Sequence, residues 1–288
     1  MKSRFDAAHK TGRLGRALTA LALTALALAT AALAAPLAGY AKDPLIPPGA
    51  VLALINNVQI DDQAETFELE DGVVSNFWYG REIDLGGKHY YATFSWFTRD
   101  RAAREGEDFI APEVKVRLAD ATFELARPGQ KQPYDIRSIE RKIGFFGARE
   151  QPEEVDTSRE ALEYRTNDGR LVLAVPTATF DSGYGISGYA VFVFNPNKTP
   201  DQDGWVWSYL GQVFTGEDNS AACDDGTVMP CIANQGELNF VAAQGPMPRL
   251  LVKFSGTTSA GDAQTRKMDD ADDVSYVFDG KQVQYVRQ

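Results

Sequence analysis

"VSYVFDGKQVQYV", Val274–Val286, decides the fold class. Val274, Tyr276 and Phe278 alternate into Asp279-Gly280, and Val283 and Tyr285 alternate out. Asp-Gly between two alternating apolar runs is the strongest short-range hairpin signal, because glycine accepts the positive φ of the turn. The dipeptide recurs at Asp71-Gly72, Asp168-Gly169, Asp203-Gly204 and Asp225-Gly226. Turn signals spread this way argue for an all-β chain.

The rest of the chain agrees. "KHYYATFSWF" (Lys88–Phe97) places Tyr90, Ala92, Phe94 and Trp96 on one face and His89, Tyr91, Thr93 and Ser95 on the other, with Gly86-Gly87 as the preceding turn. "VKVRL" (Val114–Leu118) alternates apolar residues with Lys115 and Arg117; past Asp120 the phase flips, which predicts a bulge or turn there. "RLVLAVPTATF" (Arg170–Phe180), "YAVFVF" (Tyr189–Phe194) and "WVWSYLGQVF" (Trp205–Phe214) are rich in β-branched and aromatic residues. Phe77, Trp78 and Tyr79 are consecutive, so Trp78 should point opposite its neighbours. "LIPPG" reads as an extended leader, and "TSREALEYR" (Thr157–Arg165) as two helical turns capped by Thr157 or Ser158. The expected fold is antiparallel sheets joined by Gly-containing hairpins, as a sandwich or a small propeller-like body, with at most one or two short helices. "GAREQPEEVDTS" (Gly147–Ser158) is a boundary candidate between β domains at 42–150 and 156–288; one continuous domain fits equally.

A basic start (Lys2, Arg4, Lys10, Arg13, Arg16), the uncharged apolar run Ala17–Ala35 and a small-residue exit form a bacterial Sec-type signal peptide over residues 1–41. Retention as an anchor is the competing reading, and after cleavage nothing else is apolar enough to span a membrane. The expected location is the periplasm or the cell exterior. The chain carries a net charge of −11; residues 1–41 hold +4 of it, which leaves −15 on the remainder. That balance argues against nucleic acid and suits a basic protein, a cation or plain solubility.

Cys223 and Cys231 are the only cysteines. An exported chain with a turn between them predicts a disulfide. C-x-x-C is absent, and His9 leaves with the leader, so His89 alone remains for zinc or for a nucleophile–base pair. "GYGISG" (Gly183–Gly188) precedes a strand and not a helix, so it reads as a hairpin loop and not a dinucleotide site.

Two ligand sets follow. Trp205, Trp207 and Tyr209 share a strand face and, if exposed, would stack on sugar rings or anchor a protein; His89 joins them as a candidate base or contact. Asp201, Asp203, Glu217 and Asp218 could gather round a structural Ca2+, although the EF-hand template fails at both ends; no other cofactor is expected. Glu68, Glu70, Asp84 and Glu237 could supply a hydrolytic carboxylate pair, without a motif to rank them. The favoured function is an exported, non-enzymatic protein that binds a protein or another envelope ligand, for instance an inhibitor or immunity protein covering a basic enzyme. The alternative is a carboxylate-based glycan hydrolase or a carbohydrate-binding module.

Overall fold

The computed structural model describes residues 43–198, 205–261 and 264–288. The signal peptide expected over residues 1–41 lies outside them. The described residues form one compact unit.

Two antiparallel sheets carry the fold. The first runs in chain order through β1 (Thr66–Glu68), β2 (Val74–Leu85), β3 (Lys88–Phe97), β4 (Val116–Leu125) and β5 (Tyr134–Phe146). The second begins with β6 (Glu154–Val155) and β7 (Leu162–Arg165), which share one side of β8 (Leu171–Asp181). It continues through β9 (Tyr184–Phe194), β10 (Trp207–Asp218), β11 (Ala233–Val241) and β12 (Arg249–Gly261). β13 (Gln264–Lys267) pairs with the far half of β12, and β14 (Val274–Asp279) and β15 (Gln284–Arg287) complete the edge. Sheets of five and ten strands replace the repeated blades that a propeller would need.

Period two sorts the cores. Tyr90, Ala92 and Phe94 of β3 and Val116 and Leu118 of β4 meet Leu171, Leu173, Phe192, Phe194 and Trp207 between the sheets. The opposite faces of β8 and β9 give Val172, Ala174, Val191 and Val193 to a second core with β12, β14 and β15. β8 and β9 are thus buried on both faces, which is why they read as continuous apolar runs. Fully burying a Leu or Phe side chain contributes about 1.5–3 kcal/mol, and these two strands contribute such burial to both cores.

One of the two glycine turns forms as expected. Gly86 and Gly87, at φ 61° and 76°, join β2 to β3. The β14–β15 hairpin also forms, but its loop spans Gly280–Val283 because Asp279 pairs with Gln284. Val283 is therefore in the turn, at φ 54°, and not in the outgoing strand. The phase flip near Asp120 is a register shift in the β4–β5 ladder.

Three expectations need correction. Thr157–Arg165 is not helical: Asp156 accepts the Ser158 N–H in a turn, and β7 follows. Arg159 pins that turn, donating to Asp156 and to the Thr177 and Gly188 carbonyls, while Leu162 and Tyr164 pack on the second core. "LIPPG" leads into a helix, α1 (Pro48–Asn56), with Pro48 in the first turn, where its missing N–H costs nothing. Val51 and Ile55 then cover the outer face of the first sheet, and Gly49 is obligatory because a Cβ would sit 1.8 Å from the Asp61 carbonyl oxygen. Trp78 opposes only one of its neighbours: Phe77 packs on the outer core, while a bulge between Phe77 and Tyr79 turns Trp78 and Tyr79 onto the same inter-sheet core. The other helix, α2 (Arg101–Arg104), is a single turn capped by Asp100. Among the described residues no helix is long and apolar enough to cross a membrane.

Candidate functional site

The β8–β9 hairpin projects beyond the cores, and its end carries the site. Asp181 pairs with Tyr184, which leaves Ser182 and Gly183 as a two-residue turn with φ of 53° and 85°. Only Gly183 of "GYGISG" is in that turn; Gly185 and Gly188 are in β9. The Cys223–Cys231 disulfide closes a loop beside it, with Cα atoms 5.2 Å apart. Buried Asn219 staples that loop, donating to the Pro230 carbonyl and accepting from the Ile232 N–H. The loop braces the hairpin tip: the Tyr184 hydroxyl donates to Met229 Sδ at 3.0 Å, and a Cβ on Gly183 would lie 2.7 Å from that of Ala222.

Against this braced tip lies a cleft of about 370 Å3. Its apolar walls include Ala178, Phe180 and Ile186, and its rim Glu154, Glu217 and Asp218. Phe180 is 71% exposed and Ile186 38%, so the cleft presents apolar side chains to solvent. No lysine, arginine or histidine lines the cleft. Asp218 accepts the Ser220 N–H at 2.7 Å, which holds its carboxyl below the usual range. Glu154 and Glu217 have no side-chain partner among the described residues. Gly185, opposite Phe180 in the ladder, leaves the floor open; the nearest atom to a Cβ there would be the Asp218 carbonyl oxygen at 3.7 Å.

The tryptophan strand is divided. Trp207 is fully buried in the inter-sheet core, where its Nε1–H donates to Thr122 Oγ1 at 2.9 Å, so no ligand reaches its ring. Tyr209 packs on the same core, and burial raises its hydroxyl pKa. Trp205 is 53% exposed and precedes the strand. The three rings therefore do not make one binding face. His89 is half-buried between Asp84, 2.8 Å from its Nδ1, and Glu82, 3.4 Å from its Nε2. Glu217 and Asp218 are at the cleft, Asp201 and Asp203 lie outside the described residues, and no metal-holding group occurs among the described residues.

One carboxyl pair escaped sequence reasoning. Asp120 and Glu140 face each other across β4 and β5, and both are buried. Glu140 accepts the N–H groups of Val206 and Trp207 at 2.9 and 2.8 Å. Asp120 Oδ2 accepts the hydroxyls of Ser138 and Thr122, and its Oδ1 accepts nothing. Burial first, and Glu140 second, hold the Asp120 pKa well above the ordinary carboxylate value. A proton on Oδ1 relieves both the orphaned oxygen and the repulsion. The arrangement ties β10 to the first sheet; sealed in the core, it offers a substrate no access. Compared with family models, curated proteins and solved structures, the chain matches none.

Proposed function

We propose that this protein is a non-enzymatic binding protein of an oxidising compartment, periplasmic or extracellular, and that its Phe180 cleft receives a basic protein partner. The observation that carries this reading is the pairing of exposed Phe180 with the unpartnered carboxylates of Glu154 and Glu217. An apolar anchor site ringed by one sign of charge suits a partner segment with an apolar side chain flanked by lysine or arginine. The net charge of −11 adds long-range attraction for such a partner. The disulfide supports the compartment, since such bonds persist where thiols are oxidised.

The test is a pull-down from envelope extract with the wild type and Gly185→Val, at low and high salt. Valine suits a strand and projects into the cleft. The expected result is a basic protein captured by the wild type at low salt, released at high salt and missed by Gly185→Val. A partner held equally by both forms would refute the role of the cleft.

A further inference from the structure

On the other sheet the charge reverses. A groove of about 300 Å3 on the outer side of β3, β4 and β5 is lined by Phe97, Arg99, Asp100, Lys115, Arg117 and Phe145. In the ladders Phe97 pairs with Arg117, and Arg117 with Phe145, so the three side chains stand in a row on one face. The Arg117 guanidinium lies 4.4 Å from the Phe97 ring centroid. Its only hydrogen bond among the described residues is from Nη1 to the Arg141 carbonyl at 2.5 Å, which leaves Nε and Nη2 without an acceptor there. Lys142 Nζ is 4.9 Å from the Phe145 centroid, and Phe145 is 46% exposed.

These cations have no directly paired counter-charge among the described residues. Lys115, Arg117, Arg141 and Lys142 form no ion pair among the described residues. The nearby carboxylates are committed or remote. Glu107 and Glu150 both hold Arg99, and Asp100 caps α2 through the Ala103 N–H. Asp71 reaches Arg117 and Glu153 reaches Lys115 only through space, and Glu153 accepts from Thr177 and Gln212. Burial, and then the neighbouring charge of Arg141, disfavour the Arg117 cation. The groove wall holds one carboxylate, Asp100, and it is engaged in capping α2. A guanidinium without a direct ion pair, beside an ammonium, is complementary to an oxyanion.

We propose that this groove binds a phosphate group carried on a sugar ring, with Arg117 and Lys115 holding the phosphate and Phe145 covering the ring. The volume is at the lower end for small-molecule sites, which limits the ligand to about one ring with its phosphate. Phe145 presents the electron-rich face on which the C–H edge of a sugar rests. The site is independent of the Phe180 cleft.

The test follows the Arg117 Nε–H and the Phe145 ring of the full chain by NMR during titration with glucose 6-phosphate, glucose, inorganic phosphate and phosphatidylglycerol vesicles. Glucose 6-phosphate is expected to shift both signals, more weakly as salt rises. Inorganic phosphate should shift Arg117 alone, and glucose neither. Arg117→Gln should weaken sugar-phosphate binding about tenfold or more, because it removes charge-assisted hydrogen bonds. Lys115→Gln, at an exposed position outside the strands, should weaken it less and leave folding intact. Phe145→Ala should weaken the sugar phosphate while leaving inorganic phosphate unchanged. An Arg117 signal indifferent to glucose 6-phosphate, or responsive only to the vesicles, would overturn the proposal.

Discussion

Replacing Glu140 by alanine and, separately, Asp120 by asparagine separates the two halves of the buried carboxyl pair. Glu140 is the acceptor for two buried backbone N–H groups, on Val206 and Trp207. Orphaning buried donors costs about 1–3 kcal/mol each, so Glu140→Ala should destabilise by about 2–6 kcal/mol, with relief of the repulsion on Asp120 pulling toward the lower end. Asp120→Asn puts a neutral group of the same shape where burial and Glu140 push the carboxyl toward its neutral form. It should cost less than about 1 kcal/mol. The pH dependence follows the same logic. The folded pKa of Asp120 is raised above the ordinary 3.8, so the folded state keeps a proton that the unfolded chain loses. The stability this group contributes is present in full below about pH 3.8 and falls as pH rises through the raised value. Asp120→Asn should remove that fall. Urea midpoints at several pH values, with m unchanged, provide the assay. Equal destabilisation by both variants, or a pH slope untouched by Asp120→Asn, would mean that Asp120 is ionised and would refute the reasoning.

Other consequences are simpler. Val283 holds φ 54° with a β-branched side chain and is largely exposed; Val283→Gly should stabilise by about 1 kcal/mol, read as a thermal midpoint about 2–4 °C higher. Gly49→Ala places a Cβ against the Asp61 carbonyl and should release α1, seen as faster amide exchange at Val51 and Ile55 with β8 and β9 still protected. Replacing both cysteines by serine should cost about 2.5 kcal/mol by the loop-entropy relation for a sequence separation of 8. Because the loop braces the β8–β9 tip, the same variant should also weaken capture at the Phe180 cleft.

The strands were legible because burial writes period two into Lys88–Phe97 and continuous apolar runs into β8 and β9. The turns were legible where glycine is obligatory, as at Gly86-Gly87, and the disulfide from the isolation of its two cysteines. α1 was hidden because Pro-Pro-Gly reads as a breaker, while its real constraint is the close approach of Gly49 to Asp61. Thr157–Arg165 carries helical composition, but pairing along β8 and the grip of Arg159 override it. The sites were harder. Asp120 and Glu140 are 20 positions apart in sequence, and only the β4–β5 register sets them face to face. Arg117 and Arg141 are brought together by the bulge in the same ladder; in sequence each looks like an ordinary polar position on a strand. Nothing in "RLVLAVPTATF" signals that its last residue, Phe180, stands beyond the edge of the core.

The most direct test of the binding account is photo-crosslinking in the native envelope, with a benzophenone side chain in place of Phe180 and, as a control, in place of Ile136, which is exposed on β5 of the first sheet. A single basic protein should be captured from position 180 at low salt, lost at high salt, and missing at position 136. No adduct from position 180, or the same adducts from both positions, would contradict the account.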